Sequence, residues 1–305
     1  MLRILALAAG VLVQAGAPAT SPPAAGPAIF LDFLAIGADG RSITDLTPAN
    51  VTLKVDGKVR PLQSLELVPA EGSRTILLLV DEATLFGLEQ VAKDAIARLV
   101  TSLSPGDRIA YVSTRRGRVT ALSANHQRVT DAASGMLAGP GVLVTCLTDM
   151  VTSLGSLTRT LPTGRATSLI VLSRGSPYDG TFGSESGGGC SPRSSTMRQL
   201  NETVSAAQIN VHLLTVDHTN RSWGLDSLAR NIGAGTGLLT WSDAGGDLER
   251  AVSTVARFYR ATFPVDPKAN DRLQRVELRL DRQAVKIQTS PRIRIDQAAV
   301  LGKAR

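Results

Sequence analysis

The chain has 305 residues, 43% of them hydrophobic and 19% charged, a composition that excludes an intrinsically disordered protein and suits one with a full core. Its formal net charge is +7, yet no run of five basic residues occurs and aromatic residues make up only 4%. A nucleic-acid-binding protein is therefore poorly supported, because such proteins combine basic tracks with aromatic stacking platforms.

The first residues are typical of a secretory signal peptide over residues 1–19. Arg3 supplies a positive charge, residues 4–13 form a short apolar core, and small residues follow up to Ala19. We expect export to the periplasm or the extracellular space, with cleavage between Ala15 and Ala19. The apolar core is too short for a stable membrane span, and no lipobox cysteine follows it. Residues 20–28, rich in proline and alanine, form a linker.

Residues 29–70 show the pattern of a small N-terminal β segment. A mostly apolar stretch at 30–36 precedes a turn, and Val51, Leu53 and Val55 then alternate with polar residues. They lead into Asp56-Gly57, the strongest short sequence signal for a β-hairpin. Three or four strands of this kind are too few to bury a core of their own.

Strands alternating with helices occupy residues 74–262. The apolar run at 76–80 ends in Asp81 and Glu82, which is typical of a strand buried on both faces at the centre of a parallel sheet. The pattern predicts a doubly wound, mostly parallel, Rossmann-like α/β fold. Predicted strands lie at 107–113, 118–122 (antiparallel, near the edge), 168–173, 209–216 and 237–241, and predicted helices at 88–103, 125–137, 145–157, 197–207, 225–232 and 248–259.

The C-terminal segment, residues 263–305, alternates like β-strands again. In a doubly wound sheet the first strand starts, and the last helix ends, at the same edge. We therefore expect the N- and C-terminal β segments to pair into one small β domain beneath the α/β domain.

Four stretches in this order resemble a known family: DGRSITDLT at 39–47, VDGK at 55–58, LSPGDRIA at 103–110 and LARNIGAGTG at 228–237. Together they resemble the von Willebrand factor A domain over residues 74–262, and most of all the secreted von Willebrand factor A-related proteins common in acidobacteria. The resemblance implies a non-enzymatic protein-interaction module.

The family's hallmark is a metal-ion-dependent adhesion site built from Asp-x-Ser-x-Ser, a threonine and a later aspartate. Asp81 matches the first position and Thr145 the threonine, but Ala83 and Leu85 replace the serines and Arg174 replaces the last aspartate. The resemblance thus implies a degenerate site. A guanidinium stays charged and repels Mg²⁺, so we expect Arg174 to pair with Asp81 in the metal's place, with no cofactor bound.

The binding surface expected for a protein partner consists of Asp81, Glu82, Thr84, Thr145 and Arg174. One alternative is a metal-dependent adhesion domain, in which Glu82 and Thr84 replace the lost serines and hold Mg²⁺ together with Asp81 and Thr145.

The two cysteines, Cys146 and Cys190, lie in loops that the family places at the carboxyl end of the sheet. In an oxidising compartment we expect them to form a disulfide, although two buried free thiols remain open.

A second alternative is a hydrolase that uses Asp81, Glu82 or Asp217. The sequence offers it no Gly-x-Ser-x-Gly elbow, no phosphate-binding loop and no cluster of acid, base and nucleophile. His212 falls in a predicted strand and is interpreted as structural. Arg115, Arg116 and Arg118 are interpreted as a solvated basic tip on a hairpin.

Overall fold

The described part of the chain contains three β-sheets, two α-helices, a 3₁₀-helix at Pro48–Asn50 and single helical residues at 202 and 246. The computed structural model describes residues 28–69, 74–82, 85, 87–136, 167–173, 202, 209–215, 235–238, 246, 257–265 and 272–295. In chain order the strands are β1 Ala28–Ile36, β2 Val51–Val55, β3 Lys58–Arg60, β4 Ser64–Pro69, β5 Thr75–Val80, β6 Arg108–Ser113, β7 Gly117–Arg118, β8 Thr167–Ser173, β9 Asn210–Thr215, β10 Gly235–Leu238, β11 Arg257–Pro264, β12 Leu273–Leu280, β13 Lys286–Thr289 and β14 Arg292–Arg294. The α-helices are α1 Glu89–Ser102 and α2 Gln127–Ser134.

The central sheet has the strand order β10-β9-β8-β5-β6-β7. Its first five strands pair in parallel, and the short β7 pairs antiparallel with β6 at the edge. Every residue of β5 is buried, as the apolar run predicted for a strand at the centre of a parallel sheet. The predicted parallel α/β sheet is confirmed. Its antiparallel edge strand is also present, but it covers only Gly117–Arg118 instead of the predicted residues 118–122.

Both α1 and α2 pack on one face of this sheet. Ile76, Leu78 and Val80 of β5 join one hydrophobic cluster with α1 and α2, because alternate residues of a strand point to the same face. Leu77 and Leu79 point to the opposite face and are also fully buried. A doubly wound sheet requires helices on both faces, and that finer statement remains a prediction. The helices predicted at 145–157, 197–207 and 225–232 lie almost entirely outside the described residues.

The other two sheets form a β unit from both ends of the chain, with the strand orders β13-β1-β11-β4 and β14-β12-β2-β3. The first sheet contributes Leu31 and Phe263 to a shared core, and the second contributes Leu53, Val55 and Val276. β1 pairs with β11 and β13, and β2 pairs with β12. The predicted pairing of the leading and trailing β segments is confirmed.

The predicted helix at 248–259 is wrong at its C-terminal end. Residues from Arg257 onward form β11, so Tyr259 lies in a strand that begins six residues before the predicted start of the C-terminal β segment. The Tyr259 ring stacks on Phe33 with centroids 5.4 Å apart, and its hydroxyl accepts a hydrogen bond from the Leu46 main-chain N–H at 2.9 Å. These long-range contacts, which local periodicity does not encode, favour the strand.

No helix within the described ranges is both long and apolar enough to cross a membrane.

Candidate binding site at the carboxyl end of the central sheet

The site lies where the strand order of the central sheet reverses. The chain passes from β5 to β6 on one side, and β8, β9 and β10 lie on the other. Open α/β sheets place their ligands at such a switch point, outside the carboxyl ends of the strands. Asp81 directly follows β5, and Ser173 is the last residue of β8. The two side chains therefore face each other across the crevice.

The Asp81 carboxylate accepts hydrogen bonds from two neighbouring hydroxyl groups. Thr114 Oγ1 donates to Oδ1 and Ser173 Oγ donates to Oδ2, each at 3.0 Å. The Asp81 main-chain N–H also donates to the carbonyl oxygen of Leu172 at 2.8 Å, which extends the strand pairing beyond β5. Only 5% of Asp81 is exposed. Because hydrogen bonds to an ionised carboxylate are charge-assisted, the two hydroxyls stabilise its negative charge.

Glu82 turns the other way, into a buried ion pair. Its exposed fraction is 0%, and Arg116 Nε donates to both carboxylate oxygens at 3.1 Å. Arg116 Nη2 also contacts Oε1, and the Tyr111 hydroxyl donates to the same oxygen at 2.7 Å. Arg116 Nη2 donates as well to the carbonyl oxygen of Ala132 in α2, at 3.1 Å. The pair thus ties the loops after β5 and β6 to α2.

The ionisation of this cluster follows from its burial. Burial raises the pKa of Tyr111 far above its ordinary value, and the charge of Glu82, which accepts its proton, raises it further. Burial alone would lower the pKa of Arg116, but hydrogen bonding to Glu82 and its charge outweigh that and raise it. Tyr111 therefore stays a donor and Arg116 stays a cation.

The predicted solvated tip of Arg115, Arg116 and Arg118 is wrong for Arg116, whose side chain is only 23% exposed. The cause is a local cap. Ser113 Oγ accepts the main-chain N–H groups of Arg115 and Arg116 at 3.0 and 3.1 Å. This tight turn directs the Arg116 side chain back over Tyr111, with its guanidinium carbon 5.6 Å from the ring centroid.

The remaining predicted site residues separate into two groups. Leu85 is fully buried in the hydrophobic cluster with α1, so it acts as a packing residue. The others lie outside the described residues: Ala83, Thr84, Thr145, Cys146, Arg174, Cys190 and Asp217.

Thr114 and Ser173 are the contacts of Asp81 that sequence reasoning missed. The position of both residues in the sequence points to the site, because each stands at the carboxyl end of a strand that pairs with β5. Their hydroxyls could have been found once the strand order was known, since parallel strands bring their ends to one edge of a sheet.

Two described positions of the predicted site do not suit Mg²⁺, which prefers near-octahedral oxygen ligands and retains several waters. Glu82 does not fit, because both of its oxygens contact a guanidinium. Leu85 has no side-chain oxygen. In the described ranges no three His, Cys, Asp or Glu residues are grouped so that they could hold a metal ion.

No protein-family model and no curated protein matches the chain. Among solved structures it is similar to the conserved hypothetical protein BatB from Bacteroides thetaiotaomicron, with a TM-score of 0.43 and 14% identity over 60% of this chain and 98% of that chain. It is similar to an aerotolerance-related membrane protein from Bacteroides fragilis, with a TM-score of 0.43 and 10% identity over 60% and 98%. It is also similar to the vWF domain of the type V pili tip protein Mfa5 from Porphyromonas gingivalis, with a TM-score of 0.44 and 12% identity over 62% and 96%. All three TM-scores are below 0.5. The fold and the site are therefore described from the strand pairing and the side-chain contacts of this chain alone.

Proposed function

We propose that the protein is an exported, non-enzymatic protein-interaction module of the von Willebrand factor A type. Its binding surface is the carboxyl end of the central sheet around Asp81, and it acts without a metal ion. The observation that carries this proposal is the hydroxyl clamp on Asp81, in which Thr114 and Ser173 each donate to one carboxylate oxygen. The N-terminal signal pattern supports export.

The buried ion pair of Glu82 supports the proposal that the site acts without a metal ion. A metal-dependent site would need this carboxylate to replace the serines lost at Ala83 and Leu85. Arg116 and Tyr111 instead occupy its oxygens in the interior. Moving Glu82 to a metal would leave Arg116 without its carboxylate, and breaking a buried ion pair is costly. Arg174 is proposed to complete the site by pairing with Asp81.

The hydrolase alternative receives little support from the same contacts. A general base must come within hydrogen-bond reach of a substrate proton. Glu82 is fully buried, and Asp81 is almost so. Residues 174–193, which follow β8 in the chain, are polar and include six glycines and Cys190. We further propose that a Cys146–Cys190 disulfide holds this segment over the site.

Site-specific photo-crosslinking in the producing cells tests the proposed function. A photoreactive residue replaces Arg115, half-buried in the loop after β6, or Arg41, exposed in a turn of the β unit, as the matched control. We expect irradiation to join a protein partner at position 115 but not at position 41, equally with Mg²⁺ and with a chelator. No protein adduct at position 115 would contradict an interaction module, and an adduct lost in chelator would identify a metal-dependent adhesion site.

A further inference from the structure

The outer face of the sheet β14-β12-β2-β3 is strongly basic. In these strands Leu53, Val55, Val276 and Ile293 point into the shared core, so the alternate residues point outward. We call this outward set the basic face. Its charged members are Lys54, Arg275, Glu277, Arg279, Arg292 and Arg294.

Five basic side chains therefore stand on this face against one acidic side chain. The four arginines are exposed, and the Arg275 side chain is 75% exposed. Glu277 lies directly opposite Lys54 and 3.5 Å from Arg275, so it offsets one positive charge. Asp56, at the end of the β2–β3 hairpin, pairs with Arg272 at 2.9 Å and leaves the excess on the face unchanged.

Two of these arginines occupy an unfavourable position for stability. Arg275 and Arg292 are direct partners across the antiparallel pair of β12 and β14. Like charges placed directly opposite on one face destabilise a sheet. We expect this arrangement to cost stability in the isolated protein, and an anionic surface laid over it would remove that cost.

The shape of the face selects the kind of anion. The charges come from three adjacent strands, about 4.8 Å apart, and repeat about every 6.8 Å along β12. They thus form a two-dimensional array without a groove. None of its strands carries an aromatic side chain for stacking on nucleic-acid bases. Val59, opposite Lys54 on the same face, is 64% exposed and adds an apolar contact.

The position of the face in the molecule is compatible with a flat partner. The other sheet of the β unit contacts the central sheet through Gln288 of β13, whose Nε2 donates to the Val211 carbonyl oxygen at 3.0 Å. Gln288 pairs with Leu34, on the side of that sheet turned away from the shared core. The basic face is therefore the outermost layer of the β unit. The contact at Val211 lies in the amino-terminal half of β9, whereas Asp81 follows the carboxyl end of β5.

We propose that the basic face docks the protein on the surface of an anionic phospholipid membrane. Arginine suits this role because its guanidinium binds a phosphate through two hydrogen bonds. Docked in this way, the protein presents the carboxyl end of its central sheet away from the lipid. The proposal does not depend on the function proposed for that end.

Vesicle flotation of the purified mature protein tests the proposal. We expect binding to phosphatidylcholine vesicles that contain phosphatidylglycerol, weakening as salt is added, and none to pure phosphatidylcholine. The variant Arg279→Gln/Arg292→Gln should bind more weakly by about fivefold for each charge removed. The control Arg98→Gln/Arg128→Gln removes two exposed charges from α1 and α2 and should bind like the wild type.

Three results would overturn the proposal. One is the absence of wild-type binding to the anionic vesicles at low salt, and another is an equal loss in the control variant. The third is binding to soluble polyglutamate but not to vesicles, which would assign the face to an acidic polypeptide. Thermal unfolding of both variants confirms that they are folded, which their exposed positions favour.

Discussion

At the scale of single residues, Glu82 shows how a charge can be built into the interior of this fold. Its side chain is fully buried, and it is balanced by Arg116 and by the Tyr111 hydroxyl. Burying two charges is expensive, and their attraction offsets the cost only when the geometry is good and the remaining atoms are bonded. Both conditions are met, because Arg116 contacts both oxygens and also bonds Ala132.

Replacing Arg116 with methionine should therefore leave Glu82 buried without a countercharge. We expect Arg116→Met to lower the free energy of unfolding by about 3 kcal/mol, the low end for a broken buried pair because Arg116 is partly exposed. Urea denaturation measures this. The control Arg128→Met, at an exposed position of α2, should change the free energy by less than about 0.5 kcal/mol.

A double replacement separates the charge from the packing. Glu82→Leu/Arg116→Met removes both charges and should recover most of the lost stability, because apolar groups often replace a buried pair without loss. If the single and double variants are equally destabilised, the ion pair is not the cause.

At the same scale, the position of Asp81 at the end of a central strand could be predicted from the sequence. The residues that hydrogen-bond to its carboxylate could not. An apolar run followed by two carboxylates identifies the end of a central strand. Thr114 and Ser173 reach Asp81 only through the register of β6 and β8 against β5. Arg116 faces inward because of the Ser113 cap, and nothing in the three-arginine pattern distinguishes it from Arg115.

At the scale of elements, local signals succeeded where local chemistry decides the structure. The Asp56-Gly57 turn forms as predicted, with φ angles of 48° at Asp56 and 75° at Gly57. Glycine adopts a positive φ without strain, and aspartate tolerates it better than most residues. The helix predicted over the first residues of β11 was wrong for the opposite reason, because distant contacts decide the structure there. The aromatic residues of β11 alternate between two layers, with Phe258 against Leu34 and Tyr259 against Phe33, and both partners lie far away in the sequence.

The pairing of β12 with β14 yields a stability prediction. Arg292→Glu replaces a like-charge pair with an opposite-charge pair across from Arg275. We expect the free energy of unfolding to rise by roughly 0.2–1 kcal/mol, measured by thermal or urea unfolding at low salt. An unchanged or lower value would show that the two arginines do not repel each other. The same substitution should weaken binding to anionic vesicles.

At the scale of the whole molecule, a buried histidine stands where the two parts of the protein meet. His212 of β9 lies with its Nε2 3.4 Å from Gln288 Nε2 of β13, and Gln288 also donates to the Val211 carbonyl oxygen. Burial, and secondarily the charge of Lys286, lowers the pKa of His212 to about 4. A neutral ring accepts the Gln288 N–H, and a protonated ring does not.

This junction predicts a loss of stability in mild acid. The pKa of His212 is about 4 when folded, against an ordinary value of 6.5, so between these values the unfolded chain binds a proton that the folded chain does not. Stability is therefore complete above pH 6.5 and falls as the pH drops toward 4. Between pH 7 and pH 5 this group should cost roughly 2 kcal/mol of unfolding free energy.

Urea denaturation at pH 7 and pH 5 measures the effect. The variant His212→Gln should lose less stability than the wild type over this interval. Equal losses in wild type and His212→Gln would mean that another group titrates.

The overall arrangement was predictable because sheet topology restricts where the chain ends can go. A parallel sheet brings its entering and leaving segments to one side, and the paired β segments follow from that. The contact of His212 with Gln288 was not predictable, because it depends on how one sheet is rotated over another.

We propose that side chains of the protein itself, and no metal ion, bond the carboxylates of Asp81 and Glu82. Calorimetric titration of the purified mature protein with Mg²⁺ and Mn²⁺ is the most direct test of this proposal. An Asp81→Asn variant, titrated in parallel, serves as the control. Because Thr114 and Ser173 bond Asp81 and Arg116 bonds Glu82, we expect neither protein to release heat beyond dilution. Micromolar binding by the wild type that Asp81→Asn abolishes would contradict this and establish a working metal-dependent adhesion site.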